Sequence, residues 1–252
     1  MSTNVGKVYL IGAGPGAVDL ITVRGMRLLQ EAEIVFHDAL IDAEMLQLCS
    51  QAILIPVGKR CGKHSTAQSF INKRLLDASQ KFKKIVRLKG GDPMMFGRAD
   101  EEITALENAG IEVEVVPGIT AALAASASMK QSLTLRGVSR SVAFCTQVKA
   151  DNEEQAKLPS ADTLVIYMGR SEAVGIAERL LAQGKSKSTP VQIIEAISTK
   201  NERSLSLTLY EMYQGKAMDW FNPESPALLL VGAVFGNRLQ NTDILSDSRL
   251  YG

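Results

Sequence analysis

The residues in this sequence that could do chemistry gather in four loops: "GAGPG" (12–16), "HDAL" (37–40), "VGKRCGKHS" (57–65) and "KGGDPMMFGRADEE" (89–102). They combine backbone-exposing glycines with the cations Lys59, Arg60, Lys63 and Arg98 and the acids Asp38, Asp92, Glu101 and Glu102. Cations on a loop rim bind carboxylates and phosphates. In "GGDP" the backbone is shaped for close approach, and Asp92 is free to accept hydrogen bonds from a ligand's hydroxyl or amino groups. Gly12, Gly14 and Ala17 also satisfy the G-x-G-x-x-G/A dinucleotide fingerprint. Two details oppose that use. Pro15 removes a backbone N–H that a phosphate needs, and helical periodicity begins only near Val23. The glycines therefore line a longer loop that approaches some other ligand.

Simpler roles compete at several positions. Gly58 and Gly62 suit positive φ, and Asp100 suits the positive end of a helix. His37 and His64 read as hydrogen-bonding residues. Met94 and Met95 suit core filling or an adaptable apolar wall. No cysteine has a base beside it in sequence, which disfavours a nucleophilic thiol.

Positioning these loops falls to alternating β-rich and helical segments. In the first half "KVYLI", "EIVF", "AILIP", "KIVRLK" and "VEVV" alternate with helical patterns at 23–31, 43–48, 66–80 and 100–109, the signature of a helix-covered parallel sheet. Helix 66–80 is expected to bury Ala67, Phe70, Ile71, Leu75 and Ala78, and helix 100–109 to bury Ile103, Leu106 and Ala109 and to close at Gly110. "VVPGIT" and the small-residue helix "AALAASAS" mark a junction between lobes. The second half is again mixed, and "ERSLSLTLYEM" alternates with period two, which predicts antiparallel pairing at a sheet edge. The expected division is 1–118, 119–242 and a polar tail, 243–252.

Lys plus Arg (28) nearly balances Asp plus Glu (27) in the 252 residues, so no global charge favours nucleic acid or an anionic membrane. Three widely spaced cysteines and two histidines fit a reduced compartment and disfavour a protein-built zinc site. The N-terminus lacks an apolar leader and no run approaches a membrane span, so a cytoplasmic protein without a membrane partner is expected.

In order, "VYLIGAGPGAVDLIT", "GKRCGKHS", "VRLKGGDPMMFGRADEE", "VVPGITAALAA" and "TLVIYMGR" resemble the successive motifs of the uroporphyrinogen-III C-methyltransferases, within the tetrapyrrole methyltransferase family, over about 8–234. The resemblance implies a two-lobed α/β fold, with a parallel-sheet N-terminal lobe, a mixed-sheet C-terminal lobe and an active site in the cleft between them. It implies S-adenosylmethionine as cofactor, with contacts from Pro15, Gly90, Gly91, Asp92, Thr120, Ala121, Met168, Ala196 and Ala227. Carried over by motif, Arg98, Glu101 and Arg136 would meet the tetrapyrrole, with Asp38 near the ring. The arginines would bind acetate or propionate arms, and Asp38 or Glu101 would stabilise the iminium-like intermediate or steer proton loss. The resemblance further implies a homodimer and the monofunctional form of the enzyme.

Three positions depart from the family pattern. Many relatives have Arg at Ala39, His at Leu135 and "TGH" where this chain has "TQV" (146–148), so proton carriers and a carboxylate clamp are lost from the substrate side while the cofactor motifs stay intact. Another precorrin methyltransferase, an NAD-dependent oxidoreductase and a non-catalytic tetrapyrrole-binding protein are the competing readings; "GKRCGKHS" argues against the first.

Overall fold

A computed structural model describes residues 5–57, 68–147 and 157–238. The chain divides into two compact units, Met1–Ala124 and Ala125–Gly252. The expected boundary at 118/119 precedes the helix Ala121–Met129, inside which the units divide. The tail 243–252 and the basic loop with Lys59, Arg60, Lys63 and His64 lie outside the described residues.

The first unit is built on a sheet of β1 (Lys7–Gly12), β2 (Ile34–His37), β3 (Ile53–Pro56), β4 (Lys84–Lys89) and β5 (Val113–Val116), in the order β3-β2-β4-β1-β5. Every pairing is parallel, as the continuous apolar runs predicted. Side chains alternate across the sheet. Leu10, Phe36 and Ile85 join one buried cluster with Leu75 and Leu106, while Ile11, Val35, Val86 and Leu88 join another with Leu29 and Met45.

The helices are α1 (Val23–Gln30), α2 (Ala43–Gln47), α3 (Gln68–Ser79) and α4 (Ala99–Asn108). Thr22 and Asp42 cap α1 and α2 with side-chain oxygens. Gly110, at φ +72°, ends α4: Gly110 donates to Glu107 O and Ile111 to Leu106 O, as the glycine predicted. The face expected of α3 is corrected at Phe70, which is 49% exposed, whereas Ile71, Leu75 and Ala78 are buried. Phe70 instead lies under the Arg74 guanidinium, 5.6 Å from the ring centre.

The second unit contains most of α5 (Ala121–Met129) and a sheet of β6 (Val142–Thr146), β7 (Thr163–Tyr167), β8 (Pro190–Glu195), β9 (Arg203–Thr208) and β10 (Ala227–Gly232), with α6 (Ala173–Ala182) and α7 (Leu209–Tyr213). The order is β6-β7-β10-β8-β9; β6 and β7 are parallel, while β10 runs antiparallel to both β7 and β8. β9 is an antiparallel edge strand, as its alternation predicted. The alternation does not continue into 209–212. Thr208 and Glu211 form a reciprocal capping box that starts α7 there.

Candidate active site

In the first unit the loops after β4, β1 and β5, neighbours in the sheet, converge at its carboxyl end, where open α/β sheets bind ligands. Gly14 and Gly91 exchange backbone hydrogen bonds at 3.2 and 2.7 Å, tying "GAGPG" to "GGDP". A Cβ on Gly118 would lie 2.2 Å from Gly91 O, and one on Gly12 would lie 2.6 Å from Gly118 Cα. Gly12 and Gly118 thus serve close packing of loop on loop, whereas Gly12 had been expected to line a loop that approaches a ligand. Gly90 differs: it is exposed, and a Cβ there would meet nothing within 4 Å.

Asp92 is corrected in one respect. Its carboxylate was expected to be free for a ligand, but Oδ1 accepts from Met94 N and Oδ2 from Gly118 N, both at 2.8 Å. It staples the "GGDP" loop to "PGIT". Thr120 and Ala121 open α5 beside this staple, with Thr120 Cα 3.9 Å from where a Gly91 Cβ would sit, and Pro15 is half-buried in the adjoining loop.

Behind these loops lies a charge cluster of which sequence reasoning named Asp38 and Glu102 but missed Arg87 and Lys89. Arg87 and Lys89 alternate onto the same side of β4, and both are buried with Glu102 of α4. Glu102 accepts from Arg87 Nε at 3.0 Å, from Lys89 Nζ at 3.1 and 3.2 Å, and from Gln68 Nε2 at 3.1 Å. The far end of the Arg87 guanidinium pairs with Asp38, whose other oxygen accepts from Gly90 N at 3.3 Å. Burial pulls the Arg87 pKa down, but Asp38 and Glu102 outweigh it and the net shift is upward; at Lys89 burial and repulsion from Arg87 prevail and the shift is downward. The cations are an i, i+2 pair on either side of Leu88 at the end of β4, a signal the sequence does carry.

Arg98 and Glu101 are joined in a two-pronged ion pair, at 2.6 and 2.8 Å, on the exposed first turn of α4. The Arg98 hydrogen bond holds the Glu101 carboxyl below the usual carboxylate range, so it stays ionised.

Met168, Ala196 and Ala227, far apart in sequence, come together at one end of the second sheet. β7 and β8 finish there and β10 begins, with Ala227 paired to Glu195 and Leu228 to Tyr167. Ala196 donates its N–H to Pro226 O at 3.1 Å. Met168 and Ala196 hold φ of +53° and +49°, unusual without glycine. Three side chains absent from the expected set fix this end. Arg170 donates to Asn222 O at 2.6 Å and Ser225 O at 2.9 Å, while buried Glu195 accepts from Asn222 N and is paired with Arg203. Arg136 is exposed on the turn between Leu135 and Ser139, next to Gly137 at φ +79°.

Burial raises the Cys49 and Cys145 thiol pKa values, which leaves neither activated as a nucleophile. Among the described residues no group of three His, Cys, Asp or Glu could hold a metal, and no helix is long and apolar enough to cross a membrane.

Residues 7–213 match the family described as Tetrapyrrole (Corrin/Porphyrin) Methylases. The chain belongs to this family. The chain is 41% identical over 232 residues to a Pseudomonas aeruginosa uroporphyrinogen-III C-methyltransferase, covering 91% of this chain and 94% of that one. It is 40% identical over 255 residues to a siroheme synthase of Psychrobacter sp., covering 95% of this chain but 52% of the synthase, so the chain spans about half the length of that relative. Its fold is similar to the crystal structure of uroporphyrin-III C-methyl transferase from Thermus thermophilus complexed with S-adenyl homocysteine, with TM-score 0.80 and 37% identity over 91% of this chain and 93% of that one.

Proposed function

We propose that the chain transfers methyl groups from S-adenosylmethionine to uroporphyrinogen III, at C2 and then C7, giving precorrin-2 through precorrin-1 and releasing one S-adenosylhomocysteine per methyl. The observation that carries this reading is the stapled junction of "GAGPG", "GGDP" and "PGIT", which leaves Gly90 as an open stretch of backbone in a chain similar to an enzyme crystallised with S-adenosylhomocysteine.

The residues present fit that donor. Glycine at 90 leaves room for close backbone approach, and Pro15, Gly91, Asp92, Thr120 and Ala121 surround the same loop junction. Met168, Ala196 and Ala227 form the second unit's share of the proposed contacts. When bound, the sulfonium supplies an electrophilic methyl; the S–CH3 bond breaks as the pyrrole carbon forms its new C–C bond. The chain's task is to align the partners and meet the charge that moves to the macrocycle, followed by loss of a proton. Asp38, paired with Arg87, opposes that positive charge and steers the proton's departure. Arg98 offers an exposed guanidinium whose present partner, Glu101, a substrate carboxylate can displace, and Arg136 offers another. Glu101 is then released to face the ring. A homodimer, a cytoplasmic location and supply of sirohaem- or cobalamin-type synthesis belong to the same proposal.

The test is anaerobic incubation with uroporphyrinogen III and methyl-labelled S-adenosylmethionine, followed by product mass. Two added methyls are expected. One methyl means that the second step stalls and points to Ala39, Leu135 and Val148. None, with S-adenosylhomocysteine still bound tightly, means that another tetrapyrrole is the acceptor.

A further inference from the structure

We propose that Glu102 and Arg87 are positioning residues for Asp38: the buried Glu102 carboxylate fixes the Arg87 guanidinium, which in turn fixes Asp38 against Gly90 at the loop junction. The inference rests on the methyl-transfer reading for its kinetic consequence, but its geometric core does not.

The cluster is graded from interior to surface. Glu102 is fully buried, Arg87 is 3% exposed, and the Asp38 side chain is 31% exposed. Arg87 spends every guanidinium nitrogen on fixed partners: Nε on Glu102, Nη1 on Phe36 O at 3.4 Å and Leu88 O at 3.1 Å, and Nη2 on Asp38. One planar group thereby connects the ends of β2 and β4 with α4, and its plane dictates where Asp38 sits. Lys89 Nζ reaches both oxygens of Glu102, which sets two cations against the two carboxylates Glu102 and Asp38, and it immediately precedes Gly90. A largely buried cluster of ion pairs often stabilises a fold no better than apolar side chains of equal volume, so stability alone is a weak reason for it. What apolar residues cannot do is aim a carboxylate.

The experiment compares wild type, Glu102→Gln, Asp38→Asn and the double variant. The kinetic expectation for Glu102→Gln is a kcat lower by about 10–100-fold, with KM for both substrates within about threefold. In the double variant the loss should be no larger than in Asp38→Asn alone, because both act through one carboxylate. Independently of turnover, the Gly90 amide 1H–15N cross-peak, assigned in labelled protein, should move in Glu102→Gln in the direction it moves in Asp38→Asn. Should Glu102→Gln not fold, Arg87→Lys keeps the charge but cannot reach both ends, and the same results are expected of it.

An unmoved Gly90 cross-peak, a wild-type kcat, or multiplicative losses in the double variant would overturn the proposal. If wild type fails to methylate uroporphyrinogen III while the cross-peak shifts as described, the acceptor is wrong and the positioning role stands.

Discussion

The two sheets end in loops built by different means. In the first unit, backbone is held on backbone: glycines 12, 14, 91 and 118 interlock, Asp92 caps two N–H groups, and a buried charge cluster sits behind. In the second, side chains reach across. Arg170 ties the turn after β7 to the segment before β10, Glu195 anchors Asn222, and the Arg203 guanidinium stacks 4.2 Å from the Trp220 ring centre. Met168, Ala196 and Ser198 take positive φ there without glycine, as Phe96 and Arg98 do in the loop after β4. The first arrangement leaves little freedom. Both ends hold some non-glycine backbone at positive φ, but the second depends on single long side chains, so substitutions should act on the two ends differently.

The largest effect is expected where glycine cannot be replaced. In Gly118→Ala the new Cβ must displace Gly91 O from 2.2 Å, which pushes "GGDP" off its staple. Affinity for S-adenosylhomocysteine should fall about 100-fold by titration calorimetry, with about 1–3 kcal/mol lost from stability. Gly90→Ala is the contrasting case, because its Cβ meets nothing within 4 Å. The melting temperature should hold while affinity drops at least about tenfold. Equal loss of stability in both variants would show that Gly90, too, only shapes the loop.

That contrast also explains what the sequence disclosed. Glycines grouped after apolar runs announced the first unit's loops, and parallel pairing followed from those runs. Which glycine faces another backbone and which stays open depends on a strand order, β4-β1-β5, that no local pattern encodes. Burial of Glu102 is hidden for the same reason: in "ADEE" three acids look equivalent until α4 turns one of them toward Arg87. Met168, Ala196 and Ala227 came from family resemblance alone. Positive φ at Met or Ala carries no compositional mark, and β10 brings Ala227 to them only because it runs antiparallel.

Substitution at Arg170 probes the second arrangement. Arg170→Ala removes the bonds to Asn222 O and Ser225 O, so the segment entering Ala227 loosens. A rise of about tenfold in KM for S-adenosylmethionine is expected, with Arg170→Lys recovering part of it. A wild-type KM would mean that the second unit's loop end is held without this side chain. Strain gives the smaller and opposite signal. Ala196→Gly relieves φ +49° and should raise stability by about 1 kcal/mol in denaturant unfolding, opposite in sign to Gly118→Ala in the first unit.

The smallest effect belongs far from either loop end. Thr208 precedes α7, and β9 runs antiparallel to β8, so this capping box lies at the sheet end away from Ala196. The Lys216 ammonium and then the Thr208 backbone and hydroxyl hold the Glu211 carboxyl down at about 2, below the 4.5 of an unperturbed Glu. A depressed folded-state pKa stabilises fully above the unfolded value, so this contribution is intact above pH 4.5 and disappears as pH falls toward 2. Because the ion pair is partly exposed, it is worth about 1 kcal/mol or less. Glu211→Gln should therefore flatten the stability profile between those pH values and leave S-adenosylhomocysteine affinity at neutral pH unchanged. If affinity falls as well, the second sheet transmits disturbance along its length, and the difference between the two loop ends is one of degree.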